Sequence, residues 1–176
     1  MLETRRMTET PFPPAIVPSP DDPKTLRSAF GRFATGVTIV TTATPEGPIA
    51  ITANSFSSVS LDPPLVLWAV GRHSKRFDAF ASSRHYAIHV LSAEQADLCW
   101  RFSRNGNDFS GVGVGTNAEN VPLLPDCLAR FECEIENRVD GGDHLILIGK
   151  VLRMSAAEGD PLVFAAGRYG RIGAVA

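Results

Sequence analysis

FECEIENRVDGGDHLILIGKVLRM, residues 131–154, decides the fold class. Phe131, Cys133 and Ile135 alternate with Glu132, Glu134 and Glu136, so a strand here turns one set of side chains to a core and the other to water. Asp140-Gly141-Gly142-Asp143 has turn chemistry, and His144 to Met154 begins with the apolar run Leu145 to Ile148. A tight connection between two such runs predicts antiparallel strands folded back on each other.

Working outward, Leu65 to Val70, behind Asp62-Pro63-Pro64, and Tyr86 to Leu91 are continuous apolar runs of strand length. Both are expected to be strands buried on both faces. Val37 to Thr42 and Ile49 to Thr52 flank Pro45-Glu46-Gly47-Pro48, a hairpin signal, and Leu162 to Ala165 follows Gly159-Asp160-Pro161 as a last strand. Three helices interrupt the strands. The first is capped by Asp22-Pro23, carries Leu26, Phe30 and Phe33 on one face, and is expected to end at Gly36. The second spans Lys75 to Ala81, and the third follows Ser92, which has capping-box spacing to Gln95. Many short strands with few long helices point to a mainly β, antiparallel barrel rather than a parallel βαβ sheet.

Composition narrows the partners. A chain of 176 residues, 44% of them hydrophobic, fits one domain with a sizeable core. Six of the thirteen prolines lie in the first 23 residues, so residues 1–22 are expected to form an extended or disordered arm and residues 23–176 the domain. A net charge of −2 gives no general attraction to nucleic acid or anionic lipid, and no apolar run approaches the roughly 20 residues that span a bilayer. Cys99, Cys127 and Cys133 form no C-x-x-C pair, which argues against a metal site and for a reducing, cytoplasmic setting.

Four segments carry candidate chemistry, each with a plainer alternative. Thr52 to Ser60 (TANSFSSVS) packs Asn54, Ser55, Ser57 and Ser60 around Phe56; such a turn can hydrogen-bond the polar edge of a planar heterocycle while Phe56 covers an apolar ring, or be an ordinary polar loop. Arg72 to Arg76 (RHSKR) meets a helix start, where Ser74 with Lys75 or Arg76 can bind a phosphate, or form a solvated basic turn. His144 at a strand mouth can contact a bound ring with Asp143 fixing its tautomer, or be a satisfied turn histidine. Gly111-Val112-Gly113-Val114-Gly115 lacks the preceding strand and following helix of a dinucleotide fingerprint, and residues 105–125 read as a long loop, a candidate lid. His89, inside a strand run, reads as structural.

In this order the segments resemble the flavin reductase-like domain family, the reductase components that supply reduced flavin to two-component monooxygenases. The matching pieces are FGRFATGVTIVTT (residues 30–42), TANSFSSVSLDPP (52–64), Arg72 to Arg76, Tyr86 to Ser92, Phe102 to Phe109, GDHLILIGKV (142–151), Pro161-Leu162 and Tyr169. The resemblance implies a split-barrel, FMN-binding-like fold of Greek-key arrangement, working as a homodimer with flavin near the subunit interface. It implies that FMN or FAD is reduced by NADH or NADPH, hydride passing to the flavin, with no metal. Thr35, Val37, Asn54 and Ser55 are implied to hold the isoalloxazine; Ser60, Ser74, Lys75 and Arg76 the phosphate; Phe102 and Phe109 are further flavin-side positions. His144 is implied to face the nicotinamide, assisted by Tyr169 and Arg171. Two rival readings stay open here: a flavoprotein that keeps its FMN and passes electrons to another acceptor, and a non-catalytic FMN-binding protein.

Overall fold

The computed structural model describes residues 13–173. Of the expected N-terminal arm, residues 1–12 lie outside the described residues; residues 13–19 are exposed and take no helix or strand. Helix α1 spans Pro23–Phe30, capped by Asp22, whose carboxylate accepts from the Thr25 N–H at 3.3 Å. Strands β1 (Thr35–Gly36), β2 (Thr38–Thr44), β3 (Gly47–Ala53), β4 (Ser57–Leu61) and β5 (Pro64–Gly71) follow, then α2 (Phe77–Ser82) and β6 (His85–Val90). A 3-10 turn at Ala93–Gln95 leads into α3 (Ala96–Arg104), and the chain closes with β7 (Gly115–Thr116), β8 (Pro122–Leu123), β9 (Ala129–Gly141), β10 (His144–Ala156), β11 (Val163–Ala165) and β12 (Arg168–Gly170).

The expected hairpin of residues 131–154 is the β9–β10 pair, and it stands inside a seven-stranded sheet of order β3-β2-β6-β9-β10-β5-β4, every pairing antiparallel. A smaller sheet, β1-β11-β12, brings the residues around Thr35 against the chain's end. Two apolar clusters fill the fold. Trp68, Phe80, Tyr86 and Leu147 centre one, and Val37, Leu91, Phe102 and Leu124 the other. Each buried Leu- or Phe-sized side chain contributes about 2 kcal/mol by leaving water.

Several expectations change on physical grounds. α1 ends at Phe30, capped by Gly31, not at Gly36; none of its residues is buried, because its apolar face meets a cavity instead of a core. β5 is not buried on both faces: it lies beside the edge strand β4, so Val66, Trp68 and Val70 are buried while their neighbours are only partly covered. α2 begins at Phe77, two residues later than expected, with Arg76 as its cap residue. Glu132, expected to face water, is buried, because Arg130, Arg153 and Asn117 all reach its carboxylate. The candidate lid is tied down. Val121 and Leu124 are buried, the Thr41 hydroxyl donates to the Pro122 carbonyl at 2.6 Å, and β7 pairs with β8. No helix follows Gly111–Gly115, and Ser92 and Gln95 form the capping box their spacing suggests.

His89 is fully buried on β6. Its Nδ1 lies 3.1 Å from the Ile39 carbonyl, while Nε2 accepts the Leu124 N–H at 3.1 Å, so the proton sits on Nδ1. Burial pushes its pKa down to about 4, keeping the ring neutral.

Candidate active site

The turn between β9 and β10 positions His144. Gly142 takes φ +75°, a left-handed conformation that suits glycine, and its N–H donates to the Asp140 carboxylate at 3.2 Å. Arg72, just beyond β5, holds the turn from across the sheet: Nε donates to the Gly142 carbonyl at 3.1 Å, Nη2 to Asp140 at 3.0 Å, and its own N–H to the Asp143 carbonyl at 2.8 Å. His144 opens β10 opposite Gly71, where a Cβ would come within 3.4 Å of the imidazole Nε2. Its Nδ1–H donates to the Asp143 carboxylate at 2.7 Å, and that hydrogen bond holds the carboxyl below the usual carboxylate range. The ring remains 47% exposed, oriented by that bond, with Nε2 free of any hydrogen-bond partner among the described residues.

The turn between β3 and β4 brings Asn54 to the same place. Ser55 anchors it, since the hydroxyl donates to the Ala69 carbonyl at 3.1 Å and accepts the Ala69 N–H at 3.0 Å, splicing the turn onto β5. Asn54 then lines two adjoining cavities. The larger, about 670 Å³, is walled by Phe30, Phe33 and Phe164, with Arg27, Gly31, Thr35, Asn54 and His144 completing it. The smaller, about 210 Å³, is lined by Val37, Thr52, Ala53, Asn54, Ser103, Phe164 and Tyr169.

These walls suit a planar heterocycle. Phe30 and Phe33 leave 69% and 78% of their surface open, an apolar area that a flat ring would cover. The Thr35 hydroxyl is buried without a partner, a state that costs about 1–3 kcal/mol and that a ligand's polar edge would relieve. Tyr169 packs its ring against Phe164 and Trp100, at 5.0 and 5.1 Å between centroids, and burial raises its phenol to about 12, so it stays a neutral donor.

Of the residues read from sequence, the structure brings Thr35, Val37, Asn54, Tyr169, Asp143 and His144 together around these cavities. Arg76 lines neither cavity but reaches Ser103 of the smaller one, its Nη2 lying 3.4 Å from the Ser103 carbonyl, and a side chain at Gly106 would run into its guanidinium. Ser74 accepts the Arg76 N–H at 3.2 Å, and Lys75 is exposed. The others lie elsewhere. Phe56 stacks on Phe131 at 5.5 Å, and Phe102 is buried against Phe109 at 4.8 Å. Ser57 hydrogen-bonds the Ser58 carbonyl, Ser60 sits on the edge strand β4, and Arg171 pairs with Glu94 at 3.1 Å. Sequence reasoning missed Arg27, Phe30 and Phe33 as cavity walls, Phe164, Ser103, and Arg72 as the clamp. Phe30 and Phe33 did carry a signal, an apolar helical face that the fold leaves uncovered.

Comparison with known proteins gives this arrangement its relatives. A sequence profile described as "Flavin reductase like domain" matches residues 30–173. The chain is 52% identical to the FMN reductase (NADH) SmoA of Agrobacterium fabrum over 89% of this chain and 90% of that protein. It is 36% identical to the reductase subunit HsaB of a flavin-dependent monooxygenase from Rhodococcus jostii, over 93% of this chain and 85% of that one. It spans about half the length of some other curated relatives it matches. Among solved structures it superposes on the NADH:FAD oxidoreductase of Streptomyces globisporus with TM-score 0.84 at 36% identity, covering 94% of this chain and 96% of that one.

Proposed function

Because the chain belongs to the flavin reductase like domain family, we propose that the cavity between Asn54 and His144 is where it passes hydride from NADH to FMN or FAD, supplying reduced flavin to a partner flavin-dependent monooxygenase. The observation that carries this is that one aromatic-walled cavity is lined by Asn54, His144 and the unpartnered Thr35 together. Relatives named as an FMN reductase (NADH), an NADH-dependent FAD reductase and monooxygenase reductase subunits support the reductant, the acceptor and the partner.

When bound, the flavin supplies the hydride acceptor, N5, for the hydride leaving nicotinamide C4. The chain's own residues hold and orient. Thr35 and the Asn54 amide offer hydrogen bonds to the polar edge of the isoalloxazine, Val37 and Phe164 give it an apolar bed, and Tyr169 closes the inner end. His144, oriented by Asp143 and held at one place by the Arg72 clamp, orders the nicotinamide. Arg76, with Ser74 and Lys75, serves the flavin phosphate, a role its position beside Ser103 supports. No side-chain nucleophile takes part, and Cys99, Cys127 and Cys133, all raised by burial, stay thiols.

The finer architecture belongs to the same reading. Of the expected domain, residues 174–176 lie outside the described residues, and residues 23–173 form one split-barrel domain of Greek-key arrangement, working in the cytoplasm as a homodimer. The open β4 edge and its exposed Val59 and Leu61, the latter 96% accessible, support a second copy covering that side. Anaerobic mixing of the purified protein with FMN or FAD and then NADH or NADPH tests the function. Bleaching of the yellow flavin absorbance at catalytic protein concentration is expected; flavin that stays oxidised with both reductants contradicts it.

A further inference from the structure

A second cleft, about 480 Å³, lies between α1 and the turn joining β11 to β12. Lys24, Arg27, Arg32 and Arg168 line it with Ser28, Gly31, Ala166 and Gly167, and no carboxylate shares the lining. Among the described residues, ion pairs occupy Arg72, Arg84, Arg130, Arg153 and Arg171, but none of these four cations. The nearest acid on the helix, Asp22, is engaged in capping Thr25. In a chain of net charge −2, four cations around one hollow repel each other, and an anion seated among them would relieve that repulsion.

The floor admits a close approach. Gly31, Ala166 and Gly167 present no long side chain, and the Ala166 N–H donates to the Gly31 carbonyl at 2.7 Å, fixing the turn against the helix end. Of the helix's last carbonyls, which would repel an anion, those of Arg27, Ala29 and Phe30 are engaged, accepting from Gly31, Arg32 and Phe33. Arg27 and Gly31 also line the larger cavity, so cleft and cavity are neighbours that share a wall, with His144 on the cavity's wall. Arg76 flanks the smaller cavity from the side of Ser103.

From this adjacency and the clustered charge, and resting on the functional reading above, we propose that the Lys24–Arg27–Arg32–Arg168 cleft binds the diphosphate of a dinucleotide whose ring occupies the adjoining cavity, the nicotinamide reductant being the occupant that His144 favours. The same chemistry is offered by the diphosphate of FAD, and the arms of the test separate the two.

Calorimetric titration of the flavin-free protein with ADP, with adenosine as phosphate-free control, reads the cleft without turnover. Wild type is expected to bind ADP more tightly than adenosine, and Arg32→Glu/Arg168→Glu to weaken ADP by about tenfold or more while leaving adenosine alone. KM for NADH is expected to rise by a similar factor. If FAD affinity falls against FMN while KM for NADH holds, the diphosphate served is the flavin's and the cleft assignment stands. ADP bound equally by wild type and variant, with NADH and FAD both unmoved, overturns it. Arg32→Gln/Arg168→Gln, which removes charge without reversing it, replaces the double glutamate variant if that chain does not fold. Wild type that binds ADP but bleaches no flavin sinks the functional reading and leaves the cleft standing.

Discussion

His89 and His144 carry the same imidazole on two strands of one sheet, and their surroundings give them opposite work. His89 is locked: both nitrogens are bonded to backbone, no surface is exposed, and burial suppresses its charge. His144 is held by one nitrogen only, and its other nitrogen and half its surface are left at a cavity. A polar side chain in the centre of this sheet is a structural part because every bond it can make is already made; at the mouth it is available because one is not.

The comparison breaks first at His89. His89→Ala leaves the buried Leu124 N–H without its acceptor and opens a void, so a loss of about 3 kcal/mol in urea unfolding is expected. A loss near zero would mean the ring is not part of the core. The pH dependence follows with its sign. The folded pKa, about 4, lies below the ordinary 6.5, so between these values the unfolded chain takes up a proton the fold refuses. Stability from this group is whole above pH 6.5, falls as pH drops toward 4, and changes no further below; the full span is about 3 kcal/mol at most. His89→Gln should flatten that part of the stability curve relative to wild type.

At the mouth the effects are on rate and affinity instead. His144→Ala is expected to slow anaerobic flavin reduction by about ten- to a hundredfold while leaving flavin affinity and the unfolding midpoint in place. An unchanged rate would remove His144 from the site. Arg76→Ala should weaken FMN about tenfold and riboflavin little, since only FMN carries the phosphate; equal losses would move the phosphate elsewhere. Arg72→Ala, which loosens the turn without touching a ligand, is expected to cost about two- to fivefold in reduction rate, with FMN affinity unchanged and partial recovery in Arg72→Lys, which keeps the charge but not the fork.

What could be read from sequence was what local pattern determines. The β9–β10 hairpin, the capping box at Ser92 and Gln95, and the buried, structural His89 all follow from spacing of a few residues. The ordered segments also brought out Thr35, Val37, Asn54, Tyr169 and His144, which the fold gathers at two adjoining cavities. What escaped depends on partners far along the chain. Glu132 is buried because Arg153, 21 residues away, reaches it, and Arg72 clamps a turn 68–70 residues distant. Phe30 and Phe33 have the spacing of a core-facing helix, and periodicity does not distinguish a core from the wall of an open cavity. Phe102 and Phe109 show the converse, matching a family segment yet spent on packing.

The most direct test of the site is a crystal of the protein grown with FMN and soaked with NAD⁺. The isoalloxazine and nicotinamide rings are expected in contact within the cavity walled by Phe30, Phe33 and Phe164, with Asn54 at the flavin and His144 at the nicotinamide. Well-ordered rings bound away from that cavity, in the chain or between its copies, would contradict it.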